Sequence, residues 1–395
     1  LFTECECEEC IAARGDQTWS KYYNDLMVKM SQERILKPAK AVNPKVKIII
    51  KYPLWYDEFH KRGYEVVRES RDYDFTYVGT ETRDYNYTVT PFNPLGYVQY
   101  NAYFIMRWLG GIGGEKTLGG WFDALGTTPV TYREQARQTI LADAKELMLF
   151  CYSNLINETN FYTGWFGTGI ANVDGFRKEL PGLFELAKLV HGKSIKGVHI
   201  PKPPNSEPFE EPYVFSLLGM LGLPLVPAHE VNEQAGSAIF SIHMLKSPGF
   251  SGTLQRMLDK GTPVVVTDGL AKRLTNQALV KSENLTVLKV EGEPKNLLKL
   301  TQEELKPIRD KLLAPMGMQL DAPNKVGLYL YGEDGFVIEN FNDQKVNVTL
   351  SFPRISDAQK VLILPEGGNV DLSVSNKSVI MQNLTPRTLI AVKYR

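Results

Sequence analysis

Cysteine is scarce, with four residues in 395. None lies between 152 and 395, so that stretch offers no thiol nucleophile. An excess of one charge is also missing: 45 Lys and Arg balance 45 Asp and Glu. A nucleic-acid binder needs a basic face for phosphates, and this balance argues against one. No apolar run approaches the roughly 18 residues of a membrane-spanning helix, so a membrane partner is not expected. No signal peptide is visible either. The chain opens on Leu1 inside a motif-like stretch, which reads as a processed or truncated chain whose first residues carry no address.

Aromatic residues, by contrast, are plentiful, with 19 Tyr, 18 Phe and 5 Trp. Many fall in the first 170 residues, in loop-like settings such as "KYPLWYDEF" and "NFYTGWFGTG". Rings beside carboxylates suit sugars, whose C–H faces stack while their hydroxyls bond polar edges. A Tyr-rich core is the rival explanation. Six Asn-x-Ser/Thr triplets, at Asn86, Asn157, Asn284, Asn347, Asn376 and Asn383, would matter only in a eukaryotic secretory protein.

The length predicts two or three domains. Residues 1–194 alternate strand and helix patterns. A helix is expected over "TWSKYYNDLMVKMSQERILKPAKAVNP", closed by Asn43-Pro44. Strand "KVKIIIKYP", a short helix through "DEFHKRGYEVVRES" and strand "DYDFTYVGTETRD" follow. Then come helix "YVQYNAYFIMRWLGGIGG", strand "KTLGGWFDAL", and one long helix over "TYREQARQTILADAKELMLFCYSNLI" with Thr131 and Glu134 as a capping box. The βα repeat implies parallel strands, as in part of a TIM-type β/α barrel. Residues 195–322 open on the Pro-rich connector "KGVHIPKPPNSEPFEEP" and continue as helix–strand alternation, which fits a flavodoxin-like doubly wound domain. Residues 323–395 hold seven short alternating strands with no helix between them, which predicts a small antiparallel β-sandwich.

Parallel α/β folds collect function at strand carboxyl ends. Here each expected strand ends in chemistry: Lys51 to Trp55, then Glu81, Arg83 and Asp84, then Trp121 and Asp123. At the chain's start, "TECECEEC" sets Cys5, Cys7 and Cys10 at short ligand spacing, which points to a structural Zn²⁺ lacking a visible fourth ligand. Reduced or disulfide-paired thiols are the alternative. No organic cofactor is called for.

The stretch "CECEECIAARGDQTWSKYYNDLM", with the order barrel part, α/β domain, β-sandwich, resembles glycoside hydrolase family 42, the barrel β-galactosidases of clan A. More locally, "GTETRD" and "GGWFDAL" resemble other bacterial proteins of glycosidase type. The resemblance implies a glutamine-amidotransferase-like middle domain that serves oligomer contacts and lacks amidotransferase chemistry. It also implies zinc on the cysteines and a catalytic carboxylate after the seventh barrel strand. If "GGWFDAL" is the last strand, Glu81 takes that place as the nucleophile of a retaining reaction on a β-linked sugar. Lys51, Trp55, Arg83, Asp84, Trp121 and Asp123 would then line the sugar. The family's acid/base Glu precedes the cysteine cluster, and Glu4 is the one carboxylate near that place.

Rival roles remain open. Glu81 could pair structurally with Arg83 or Lys51, and Asp123 could cap the following segment. The expected half barrel leaves an open edge, so a further barrel segment or a second copy of the chain is expected as partner. A bacterial polysaccharide-degrading enzyme would be periplasmic or extracellular, and other roles would be cytoplasmic. A non-catalytic carbohydrate-binding protein on a degenerate barrel is the competing function.

Overall fold

A computed structural model describes residues 5–83, 97–150, 152–156, 169–353 and 355–395. Its first sheet has four parallel strands side by side in chain order: β1 (Ile49–Tyr52), β2 (Phe75–Gly79), β3 (Thr117–Asp123) and β4 (Glu146–Phe150). Strand periodicity sorts their side chains onto two faces. Tyr52, Val78 and Phe122 are fully buried on the helix-covered face. The register aligns Lys51, Tyr77, Gly119 and Glu146 in one row of the opposite face, with Gly79, Trp121 and Met148 in the next. That face stays partly open, with Ile49 and Phe150 each 41% exposed.

β4 corrects the expectation of one long helix after β3. The helix Pro129–Leu141 stops at Ala142, and Asp143 turns the chain at φ 67°. Residues 146–150 then pair with β3, and a short helix, Tyr152–Ile156, follows. The capping box also moves a turn earlier, since Thr128 and Thr131 bond reciprocally around Pro129. Over "DEFHKRGYEVVRES" only Phe59–Lys61 forms a tight turn, and Gly63 at φ 82° separates it from the helix Val66–Asp72. The first long helix does end at Asn43, as its Asn-Pro pair requires. It runs Trp19–Met30 and Lys37–Val42 through a wider turn at Ser31–Leu36.

The second sheet is wholly parallel. Its strands are β6 (Val198–Pro201), β7 (Leu225–Ala228), β8 (Ala238–Phe240), β9 (Val264–Thr267) and β10 (Leu285–Leu288), after a short β5 (Ile195–Lys196). The spatial order β10-β9-β8-β6-β7 is the flavodoxin-like arrangement expected. β6, β8 and β9 are buried at every position because both faces are covered.

The seven C-terminal strands also form as read: β12 (Val326–Tyr331), β13 (Gly335–Asn340), β14 (Val346–Ser351), β15 (Ala358–Leu364), β16 (Asp371–Ser375), β17 (Ser378–Leu384) and β18 (Thr388–Tyr394). They make two antiparallel sheets, β11-β14-β17-β16 and β15-β18-β13-β12-β5. Two strands from before residue 323 join them, β5 and β11 (Gln319–Asp321). One apolar cluster runs from Tyr52 through Leu218 to Val392, so the four sheets share a continuous core.

Helix Pro129–Leu141 joins the first sheet to the sandwich. Arg137 donates to both oxygens of Glu179 at 2.5 and 2.7 Å and to the Arg387 carbonyl at 3.0 Å. Gln138 bonds Glu339 at 2.6 Å and accepts from Tyr329 at 3.0 Å. Arg137, Gln138, Glu179 and Glu339 are buried, and of the Glu339 oxygens Oε2 is the one that accepts a hydrogen bond among the described residues.

Candidate active site at the strand ends

β2 runs into Thr80, whose N–H donates to the Trp121 carbonyl at 2.8 Å, so the ladder continues one residue past the strand. Thr82 N–H then donates to the Thr80 carbonyl at 3.0 Å, and Arg83 sits at φ 60°. This tight turn sends the Glu81 side chain to the same face as Tyr77 and Gly79. The row that aligns Gly79 with Trp121 carries on to Asp123 and Phe150. Glu81 and Asp123 are therefore neighbours at the carboxyl edge of adjacent parallel strands.

Gly79 makes room for this arrangement. A Cβ there would fall 2.6 Å from Glu81 Oε2 and 2.9 Å from the Leu54 nitrogen. Only a residue without a side chain lets the carboxyl fold back onto the strand. Glu81 is 3% exposed, and among the described residues its Oε2 has no hydrogen-bond partner. Burial, with the Asp123 charge second, pushes its carboxyl up to about 8, against the opposing pull of nearby backbone N–H groups and Arg83. The anion expected at position 81 is thus not the state that this environment favours.

Asp123 is 1% exposed and bound by one cation. Arg83 Nε and Nη2 donate to its two oxygens at 3.3 and 3.0 Å. Burial raises its carboxyl, and Arg83 pulls it back toward the ionised form. Its Oδ1 also accepts from the Leu125 N–H at 3.1 Å, so the capping role is real.

The aromatic and basic groups divide. Lys51 Nζ lies 5.7 Å from the Trp121 ring centre and 3.3 Å from Met148 sulfur, on the open face. Trp121 packs edge-on against Phe150 at 5.8 Å. Trp55 is covered by the Arg62 guanidinium at 4.1 Å, and Glu58 holds Arg62 through Nε at 2.7 Å. Glu4 and Asp84 lie outside the described residues, as does Cys151. Glu81, Arg83 and Asp123 come together. Trp55 stands with Glu58 and Arg62, and on the open face Trp121 lies one row below and Lys51 two.

Residues that the sequence did not single out complete the surroundings. Tyr97, buried, feels the charges of Glu58, Glu81 and Arg62, and its ring meets Tyr213 of the second sheet's domain at 4.9 Å. Glu58 and Arg62 were legible in principle, since they follow β1 within ten residues as an i, i+4 acid–base pair.

The cysteines cluster as their spacing suggests. The sulfurs of Cys5, Cys7 and Cys10 lie within 4.8 Å of one another. Cys7 caps the helix Glu8–Arg14 by accepting from the Cys10 N–H at 3.4 Å. Three convergent thiols fit a soft tetrahedral metal such as Zn²⁺, and the group could hold one.

The open face forces a recount. β4 lies beyond β3, so "GGWFDAL" is not the last parallel strand. If β4 is the eighth strand of a barrel, β3 is the seventh and ends on Asp123, and Glu81 follows the sixth.

Comparison with known proteins places this geometry. Residues 1–180 match the family model described as "Probable glycosyl hydrolase, catalytic domain". Residues 317–394 match "Probable glycosyl hydrolase, C-terminal domain". An uncharacterized protein of Saccharolobus solfataricus is 27% identical over 263 residues, 65% of this chain and 40% of its own length. Solved structures are similar in fold at low identity. An exo-carrageenase of family 42 from Bacteroides ovatus has a TM-score of 0.54 and 11% identity over 95% of this chain and 56% of its own. The family 42 β-galactosidase Gan42B from G. stearothermophilus gives 0.54 and 10% over 95% and 68%. α-L-Fucosidase isoenzyme 2 from Paenibacillus thiaminolyticus gives 0.54 and 10% over 98% and 73%. The chain thus carries a glycosyl hydrolase catalytic-domain signature at one end and the matching C-terminal signature at the other, and it shares its fold with these solved structures.

Proposed function

We propose that the protein hydrolyses a β-linked glycoside with retention, with the Glu81–Asp123 pair at the centre of the reaction. The observation that carries this is two neighbouring carboxyls that burial raises together, of which Asp123 alone is hydrogen-bonded by a guanidinium. Neighbouring carboxyls with different partners are candidates for separate acid and base roles. Adjacent strands run about 4.8 Å apart, close to the roughly 5 Å that a retaining pair needs.

Asp123, at the seventh strand by the recount, is the better nucleophile, because Arg83 favours its anion. Glu81 is the proton holder. Lys51 and Trp121 offer a cation and a ring on the same face for sugar hydroxyls and C–H groups. Zn²⁺ on Cys5, Cys7 and Cys10 would be structural; it would pin the start of the helix Glu8–Arg14.

One observation favours a second function. Glu81 is almost fully buried, at 3% exposed, which suits a barrel that binds sugar without turnover. Nitrophenyl glycosides decide between them, with the β-galactoside first and the α-L-fucoside second. Hydrolysis by the wild type, lost in Asp123→Asn and reduced in Glu81→Gln, supports the enzyme. An inactive wild type that still binds sugar supports the binding protein. Full activity in Asp123→Asn removes this carboxylate from the reaction.

A further inference from the structure

The second sheet reverses direction between β6 and β8. The chain steps from β6 outward to β7, then returns to lay β8 along the other side of β6. Loops leaving two such strands part in opposite directions, and the crevice beyond their carboxyl ends is where open α/β sheets bind ligands. A cavity of about 650 Å³ lies here, within the usual range for a small-molecule site. Asn205, Glu207 and Phe209 line it from the loop after β6, and His243 from the loop after β8. The helix Trp19–Met30 and the loop after β1 close the other side with Asn24 and His60.

The base of the cavity is rigid. His243 Nε2 meets Asp57 Oδ1 at 2.9 Å, and its Nδ1 meets Ser241 Oγ at 3.0 Å. The Tyr213 N–H donates to Asp57 Oδ2 at 2.7 Å. All are buried, so His243 is committed to joining the two regions.

The lining charges neutralise one another. Lys21 and Arg68 both reach Asp25 at 2.6 Å, and His60 and Lys61 both reach Glu207 at 2.6 Å. No field of one sign remains to select a charged ligand. Two amide oxygens remain without hydrogen-bond partners among the described residues, Asn24 Oδ1 and Asn205 Oδ1. Asn24 is only 5% exposed, and a buried acceptor left bare is costly unless something donates to it. At the rim, Phe209 is 55% exposed and held at φ 46°, a region that bulky residues avoid. Arg273 lies over its ring at 5.7 Å.

We propose that this crevice binds a neutral sugar of one or two rings, at a site separate from the strand-edge carboxyls. Hydroxyls donate to the two bare amide oxygens and accept from the paired cations, and the C–H face of the sugar stacks on Phe209. A nucleotide is disfavoured, because the loop after β6, "KPPNSEPFEEP", is rich in Pro and Glu and lacks the glycines that cradle phosphate.

The proposal does not depend on hydrolysis, so it is tested in the Asp123→Asn background by titration calorimetry with lactose and maltose. Galacturonate and glucosamine serve as the charged comparisons. Expected is one site for a neutral disaccharide, weakened about tenfold by Asn24→Leu and several-fold by Phe209→Ala. Because Phe209 is at the surface, its variant decides the matter if Asn24→Leu does not fold. Three results would each overturn the proposal: no binding of either disaccharide, binding indifferent to Phe209→Ala, or tighter binding of a charged sugar. Loss of nitrophenyl glycoside hydrolysis, by contrast, bears only on the strand-edge carboxyls.

Discussion

The two parallel sheets deliver acidic residues to their carboxyl edges in the same way but treat them differently. In the second sheet the edge carboxylates are saturated. Asp268 accepts from the N–H groups of Val290 and Glu291 at 2.8 and 3.1 Å and from Lys272 at 2.7 Å. Glu211 accepts from Ile242 and Gly269 N–H groups, each at 3.1 Å. In the first sheet Glu81 keeps one oxygen unfilled and its carboxyl pushed up, beside an Asp123 that leans on Arg83. Polar residues at strand ends are therefore no guide by themselves. What differs between the two edges is unused hydrogen-bonding capacity, which packing keeps at Glu81.

The sharpest way to break this contrast is a matched pair of substitutions. Asp123→Asn should lower turnover of a cleavable nitrophenyl glycoside by roughly a thousandfold or more, while Asp268→Asn leaves it within about twofold. Equal losses would erase the distinction. Next in size is Asp57→Ala, which strands buried Lys202 and His243 without their shared anion. Urea unfolding should show a loss of about 3–5 kcal/mol.

Glu81→Gln gives a smaller effect with a defined sign. The native carboxyl titrates near 8 against an ordinary 4.5, so the unfolded chain releases this proton first. Its contribution is complete below about 4.5 and is lost as pH rises to about 8. The melting midpoint of Glu81→Gln should therefore match wild type at pH 4 and exceed it by roughly a few degrees at pH 8. A constant gap across that range would mean that Glu81 is ionised in the native protein. At the bottom of the scale, Lys272→Ala removes an exposed partner of Asp268 whose backbone donors remain, and the midpoint should not move.

Much of the fold could be read from local pattern. The seven C-terminal strands and the β6–β10 order follow from alternation and from apolar runs bounded by turn residues. β4 was hidden because "LADAKELMLF" contains no Gly or Pro to mark a break; the stop is made by Asp143 adopting a left-handed conformation, which Asp tolerates without advertising it. Without that strand the count along the sheet differs by one, and the residue set after the seventh strand is Glu81 rather than Asp123. The site's residue types were visible at strand ends, yet the upward shift of the Glu81 carboxyl was not. It depends on the space left by Gly79 and on Tyr97 and Asp123 closing around it, which only three-dimensional packing sets.

Helix Pro129–Leu141 begins just beyond Asp123 and ends buried in the sandwich, gripped by Glu179, Glu339 and the Arg387 carbonyl. The last eighty or so residues are thus a foundation for the strand edge that carries Asp123 and not a detachable accessory. Trimming them would lay bare a guanidinium, an amide and their acidic companions at once, and the loop carrying Asp123 would lose its anchor.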